Sequence, residues 1–258
     1  MSIYFDTHTH LHLKEFQGDL PETIWRAHDA GVEQMVTLGT DLDSSRKTLA
    51  IARKYEGIYA AVGIHPSDAD KAVPGDYRAI RKLAVENKKV VAIGEIGLDF
   101  YWKKVPAEAQ YPNFRKMLEL GRELNLPVVI HNRNAHREME WFFQEEGIHE
   151  LNGVMHCFSG EEIDARFYLE MGMHLSFTGN ITYPQFNMEK IVRFVPLDRV
   201  MIETDCPYIS PEPVRRKRNE PAHLRYTAQK MAEIHRKSPE QIAEITTRNA
   251  RRFFRLPD

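Results

Sequence analysis

The chain has 258 residues, 42% of them hydrophobic, and a formal net charge of −2. That share supplies a substantial core, and the near-neutral balance argues against a surface coated in positive charge for duplex binding, though Arg215-Arg216-Lys217-Arg218 is a local basic run. Two cysteines rule out a disulfide framework, no run approaches the roughly eighteen apolar residues of a membrane helix, and no basic-then-apolar leader opens the sequence, so a cytoplasmic protein without a membrane association is expected.

The first strand-like run, Ile3-Tyr4-Phe5, leads straight into Asp6-Thr7-His8-Thr9-His10. On a strand, side chains alternate between faces, so Asp6, His8 and His10 are expected to point the same way. Two imidazoles on one face at a strand's end can share a metal ion. Helical spacing follows over Pro21–Ala30, a strand over Gln34–Leu38, and a helix capped at Asp43 or Ser44 through Tyr55. Ile58–Ile64 is the third strand and finishes at His65-Pro66, before a helix over Tyr77–Glu86. The fourth, Val90–Ile93, runs into Gly94-Glu95-Ile96-Gly97-Leu98-Asp99 and a long helix over Ala107–Leu124. Pro127–Ile130 ends at His131, with a helix over His136–Glu145. Val154-Met155 leads to His156-Cys157-Phe158-Ser159-Gly160, then a helix over Glu162–Met171. His174–Phe177 and Arg199–Ile202 are strands seven and eight, separated by a short helix over Met188–Phe194. Glu203-Thr204-Asp205 ends the eighth strand. A proline-bearing basic loop, a helix over Pro221–Lys237 and a last helix from Ser238-Pro239 to Phe254 complete the chain.

Eight strands alternating with helices predict right-handed βαβ units and a parallel sheet. Their number and the chain length fit an α/β fold of (β/α)8 TIM-barrel type with an extra C-terminal helix; a doubly wound open sheet is the runner-up. No linker or shift in composition divides the sequence, so residues 1–258 are expected to form a single barrel domain.

Active sites of such barrels lie at the carboxyl ends of the strands. Those ends carry His8 and His10, His65, Glu95, His131, His156, and Glu203 with Asp205. Any one histidine alone reads as an ordinary satisfied or solvent-facing side chain. Five strand ends presenting His8, His10, Glu95, His131, His156 and Asp205 to one mouth read as a metal site. Six donors exceed the needs of one catalytic ion, and the two oxygens of Glu95 could bridge a pair. Imidazoles favour zinc, manganese, iron or cobalt over magnesium. Asp6 and Glu203 could support the ligands or be buried core polarity. Cys157 falls on the opposite strand face from His156, which points to packing.

With these residues assembled, the chain resembles the TatD family of metal-dependent deoxyribonucleases within the amidohydrolase superfamily. The resemblance is carried almost end to end by Phe5–His10, Gly63-Ile64-His65-Pro66, Ile93–Asp99, Val129-Ile130-His131, His156–Gly160, Glu203-Thr204-Asp205 and Lys217–Pro221. It implies two divalent ions (Mg2+, Mn2+ or Zn2+), with His8, His10 and Asp205 holding one, His131 and His156 the other, and Glu95 bridging. It also implies hydrolysis of DNA phosphodiester bonds as a 3′→5′ exonuclease, His65 near the scissile phosphate, and Asp205 orienting or deprotonating the attacking water. Asn132-Arg133-Asn134-Ala135, Cys206 and Arg216 depart from the commoner family residues, none of them at a ligand position. They bear on substrate contacts, not on metal binding; His65, Arg133 and the Arg215–Arg218 loop, Arg218 included, are expected to contact phosphates. DNA, single-stranded or at an end, is the expected substrate, and no obligate protein partner is evident. The alternative is carbonyl or ester hydrolysis, such as aminoacyl-tRNA deacylation. A further one is a nucleic-acid- or partner-binding protein with a vestigial site.

Overall fold

The computed structural model describes residues 3–257; Met1, Ser2 and Asp258, at the ends of the expected domain, lie outside the described residues. Among the described residues the strands are β1 (Tyr4–Thr9), β2 (Val32–Leu38), β3 (Ile58–Val62), β4 (Val90–Asp99), β5 (Val128–Arg133), β6 (Gly153–Met155), β7 (His174–Phe177) and β8 (Val200–Ile202). Each pairs in parallel with the next, in the order β1 through β8. Every residue of β1 and β4 is buried, as parallel strands covered on both faces must be. The ring closes beyond the end of β8. There Thr9 bridges Cys206 in parallel, His10 N donates to Cys206 O at 2.9 Å, and Asp205 N donates to His8 O at 2.9 Å.

The helices are α1 (Leu20–Asp29), α2 (Leu42–Lys54), α3 (Pro74–Glu86), α4 (Ala107–Leu124), α5 (His136–Glu145), α6 (Glu162–Glu170), α7 (Glu189–Phe194), α8 (Leu224–His235) and α9 (Pro239–Phe254). Local chemistry starts several of them. The Asp41 carboxylate accepts from Ser44 N at 2.7 Å to cap α2, two or three residues before the cap expected from sequence at Asp43 or Ser44. Ser238 and Gln241 cap α9 reciprocally, with Pro239 at its first position. The helix expected from Pro221 begins as a 3-10 turn, Pro221–His223, and becomes α-helical at Leu224. No described helix is long and apolar enough to cross a membrane.

The extra helix α9 seals the end of the barrel opposite the mouth. Phe253 and Phe254 join Phe5, Val36, Val91, Val129, Val154 and Met201 in one buried cluster. Thr247 donates to Ile3 O, and Asn249 donates to Leu197 O and Val200 O, so α9 grips the amino ends of β1 and β8. With one end plugged, the other is left to carry chemistry.

Two strands differ from expectation where the site is built. Strand β4 does not stop at Ile93 but runs through two glycines to Asp99. Gly97 has a φ of 137°, and a Cβ there would lie 2.0 Å from His131 O, so only glycine lets β4 come this close to β5. In β1 the pairing register with β2 shifts between Asp6 and Thr9. The segment that carries His8 therefore leaves the regular ladder with β2.

Candidate metal centre

The mouth collects His8 and His10 from β1, Glu95 from β4, His131 from β5, His156 just after β6 and Asp205 just after β8. The Glu95 carboxylate lies between two donor groups. Its Oε2 is 3.4 Å from His8 Nε2 and 3.5 Å from His10 Nε2. Its Oε1 is 2.9 Å from His131 Nδ1 and 3.0 Å from His156 Nε2. Asp205 Oδ1 completes the first group, 3.7 Å from His8 Nε2 and 3.5 Å from His10 Nε2. All are buried except His131, which is partly exposed.

Hydrogen bonds on the far side of three rings fix which nitrogen is bare. His10 Nδ1 lies 3.2 Å from Leu38 O, a pure acceptor, so the proton sits on Nδ1 and Nε2 turns a lone pair inward. His156 Nδ1 meets Glu203 Oε1 at 3.2 Å, and the same oxygen accepts from Cys157 N at 2.6 Å. His131 is held by its other nitrogen, Nε2, 3.1 Å from Asp99 Oδ2, and presents Nδ1. Each is an imidazole oriented by a carboxylate or carbonyl, the support that metal-binding histidines use. His8 differs: its buried Nδ1 has no hydrogen-bond partner, and the ring is held by stacking on His156, with centroids 4.0 Å apart.

Inward lone pairs and carboxylate oxygens repel one another unless a cation lies between them, and that is the fit test. His8 Nε2 and His10 Nε2 are 3.1 Å apart, and His131 Nδ1 and His156 Nε2 are 3.2 Å apart. Metal–nitrogen bonds of about 2.0–2.1 Å place neighbouring donors of a tetrahedral ion roughly 3.4 Å apart. The donors present therefore fit a divalent cation in either group. Burial alone would push the Glu95 carboxyl up, but the imidazoles around it, His156 foremost, outweigh it and hold the group well below the usual carboxylate range. Asp205 is likewise held low against its burial, chiefly by His10 and His8. Both carboxylates are thus charged and ready to take an ion.

His65 lies near Glu95, with Nε2 3.5 Å from Oε1, but it presents a different face. Its Nδ1 accepts from Ser67 N at 3.0 Å, an obligate donor. Nδ1 is therefore the bare nitrogen, and the neutral ring turns an N–H toward the centre. Distances alone group His65 with Glu95 and His131 as possible ligands. The tautomer makes it a hydrogen-bond donor instead, because the Ser67 amide can only donate.

Asp6 touches no imidazole nitrogen. Its carboxylate accepts from Thr204 N at 2.9 Å, Thr204 Oγ1 at 2.6 Å and His8 N at 3.3 Å, stitching β1 to the segment after β8. Arg133 ends β5 with its guanidinium stacked over Tyr101, 4.1 Å from the ring centroid. Arg218 is spent elsewhere. It donates to Asp19 at 2.7 Å through each of two nitrogens and to Glu15 O, bracing the loop after β8 against α1. Arg215 pairs with Glu212 and stacks on Tyr183. The Cys157 thiol is pushed well up by burial and by Asp205 and Glu203, which keeps it protonated and suits packing.

Sequence reasoning missed Asp99 and Asn219. Asp99 was in view as the end of a motif, and its position two residues before Tyr101, opposite Arg133 in the ladder, becomes visible only once β4 extends that far. Asn219 is fully buried and donates to Thr204 O and Tyr208 O, holding the backbone that carries Asp205. An asparagine just after a run of four cations gives no hint of burial.

An eight-stranded parallel barrel whose carboxyl-end mouth gathers imidazoles around a buried carboxylate is the layout of a metal-dependent hydrolase. A family model described as TatD related DNase matches residues 5–255, and the chain belongs to that family. It is 42% identical to the uncharacterized metal-dependent hydrolase YabD of Bacillus subtilis, over 98% of this chain and 99% of the relative. It is 36% identical to the 3′-5′ ssDNA/RNA exonuclease TatD of Cronobacter sakazakii, over 97% of each. Among solved structures, YJJV, a TatD homolog from Escherichia coli K12, superposes with a TM-score of 0.92 at 28% identity and 98% coverage of both chains.

Proposed function

We propose that this hydrolase cleaves phosphodiester bonds of single-stranded DNA from the 3′ end in the cytoplasm, on one barrel domain, using two divalent ions. The observation that carries the reading is Glu95, whose Oε2 faces His8 and His10 while Oε1 faces His131 and His156. A carboxylate divided in this way suits a bridge between paired ions. In this reading His8, His10 and Asp205 hold one ion and His131 and His156 the other. The exonuclease named above, 36% identical over nearly the whole chain, supports the choice of substrate.

Bound there, the ions would supply Lewis acidity that activates a water at neutral pH and offsets charge on the attacking and leaving oxygens. The protein does the rest. The Asp205 carboxylate, charged and at the edge of the first group, orients the attacking water and takes its proton. His65 donates its Nε2–H to a phosphate oxygen. Arg133 meets phosphate with in-plane N–H groups, which stacking on Tyr101 leaves free. The reading assigns Arg218 no phosphate contact, because its donors are already taken.

The test is digestion of end-labelled oligonucleotides, single-stranded and duplex, with RNA and an aminoacyl ester alongside, across Mg2+, Mn2+ and Zn2+ with an EDTA control. Metal-dependent shortening of DNA from the 3′ end is expected, with loss of at least about a thousandfold in Glu95→Ala and Asp205→Ala. Unchanged cleavage in both variants, or turnover of the aminoacyl ester alone, overturns the proposal.

A further inference from the structure

The loop that follows β4 carries an exposed aromatic pair beside the mouth. Tyr101 is 49% and Trp102 56% exposed, their rings edge to face with centroids 5.0 Å apart. The Arg133 guanidinium stacks against both, 4.1 Å from the Tyr101 centroid and 5.3 Å from that of Trp102. Lys104 Nζ lies 5.3 Å from the Trp102 ring. No carboxylate pairs with Arg133 or Lys104 among the described residues, so this corner is both aromatic and cationic.

One side chain ties it to the metal centre. Asp99 Oδ1 accepts from Tyr101 N at 3.0 Å and Trp102 N at 3.2 Å, while Asp99 Oδ2 holds His131 Nε2 at 3.1 Å. His131 Nδ1 in turn lies 2.9 Å from Glu95 Oε1. The aromatic pair is therefore fixed, through one carboxylate, to the ring that faces the second donor group. Arg133 is two residues beyond His131 on β5, on the same side of the strand, and pairs with Asp99 in the ladder.

We propose that Tyr101, Trp102 and Arg133 form a subsite that stacks a nucleobase of single-stranded nucleic acid, held in register with the metal centre by Asp99. The inference rests on the phosphodiesterase reading above and adds how the strand is gripped. Half-exposed aromatic faces beside unpaired cations suit a strand whose bases are unstacked and whose backbone is anionic. A duplex, with its bases stacked on each other, offers no free face to Tyr101 or Trp102. The subsite therefore gives preference for single strands without reading sequence.

Binding is measured by fluorescence anisotropy in EDTA with a labelled oligothymidylate and an abasic strand of equal length and charge. The wild-type protein should bind the oligothymidylate at least about fivefold more tightly, the low end for one stacked base. Trp102→Ala with Tyr101→Ala should remove most of that difference while leaving the abasic strand's Kd unchanged, and Trp102→Phe should restore part of it. Equal wild-type affinity for the two strands overturns the subsite without recourse to any variant. So does a double variant that weakens both strands alike, since that marks disturbed loop packing. If the wild-type protein with metal cleaves neither strand, the phosphodiesterase reading fails instead. If it cleaves both with the same KM, that reading stands and the subsite falls.

Discussion

His65 shows how a single hydrogen bond can change a residue's assignment. By distance it belongs with the ligands, yet the Ser67 amide occupies its Nδ1 and leaves a donor facing the centre. Burial holds its pKa below the ordinary value, so the ring stays neutral at physiological pH and keeps that single proton on Nε2. His65→Ala should lower kcat by roughly 10²–10³, as loss of one positioned donor does, without lowering metal content. His65→Gln, whose amide N–H can reach the same place, should recover part of the rate. Metal analysis of the purified variant decides the matter: loss of an ion in His65→Ala would make it a ligand after all. The family resemblance implies His65 near the scissile phosphate, but which nitrogen it offers depends on the local turn at Pro66-Ser67, and no spacing rule reports that.

At the scale of elements, the strand ends were legible because imidazoles and carboxylates are rare at buried positions and recurred with each strand. The strand limits were less so. The fourth strand was expected to end at Ile93, whereas Gly94 and Gly97 let β4 continue against β5 and bring Asp99 to His131. The bulge in β1 was equally hidden, since register is set by the partner strand rather than by the run itself. Strand β7 carries a separate consequence. His174, at its start, lies edge to face on Phe253 of α9, with Arg199 and Arg252 nearby. Burial, aided by those two cations, lowers its pKa to about 4. The unfolded chain therefore binds a proton that the folded one refuses, and stability is lost as pH falls from about 6.5 toward 4. The contribution is at most about 3 kcal/mol. Urea midpoints at pH 7 and pH 4.5 should drop less in His174→Gln than in the wild-type protein; equal drops would rule the histidine out.

For the whole molecule, the barrel was foreseen from alternation, and its two ends have different jobs. Helix α9 and its phenylalanines stabilise one end, while the other spends buried volume on charge. Six converging donors without a cation are costly to bury, so a bound ion should stabilise the fold markedly. At a hundredfold excess over Kd the gain is about 2.7 kcal/mol per site, or roughly 5–10 °C in Tm for a chain of this size. Calorimetry of metal-stripped protein, with and without added Mn2+ or Zn2+, should show that rise, and Glu95→Ala should show much less of it. No rise in the wild-type protein, or the same rise in the variant, would mean that the donors do not take an ion.

Asp205 N donates to His8 O, and Thr9 bridges Cys206, at the seam where the first strand meets the segment beyond the last. The same seam brings the Asp205 carboxylate to His8 and His10. Emerging from the ribosome, the chain must thus wait for its final quarter before Asp205 joins Glu95 beside its opening histidines. A fragment ending before Thr204 lacks both the contacts that close the sheet and the Asp205 carboxylate. Joining of the sheet's two edges and delivery of the Asp205 carboxylate to His8 and His10 are consequently one event.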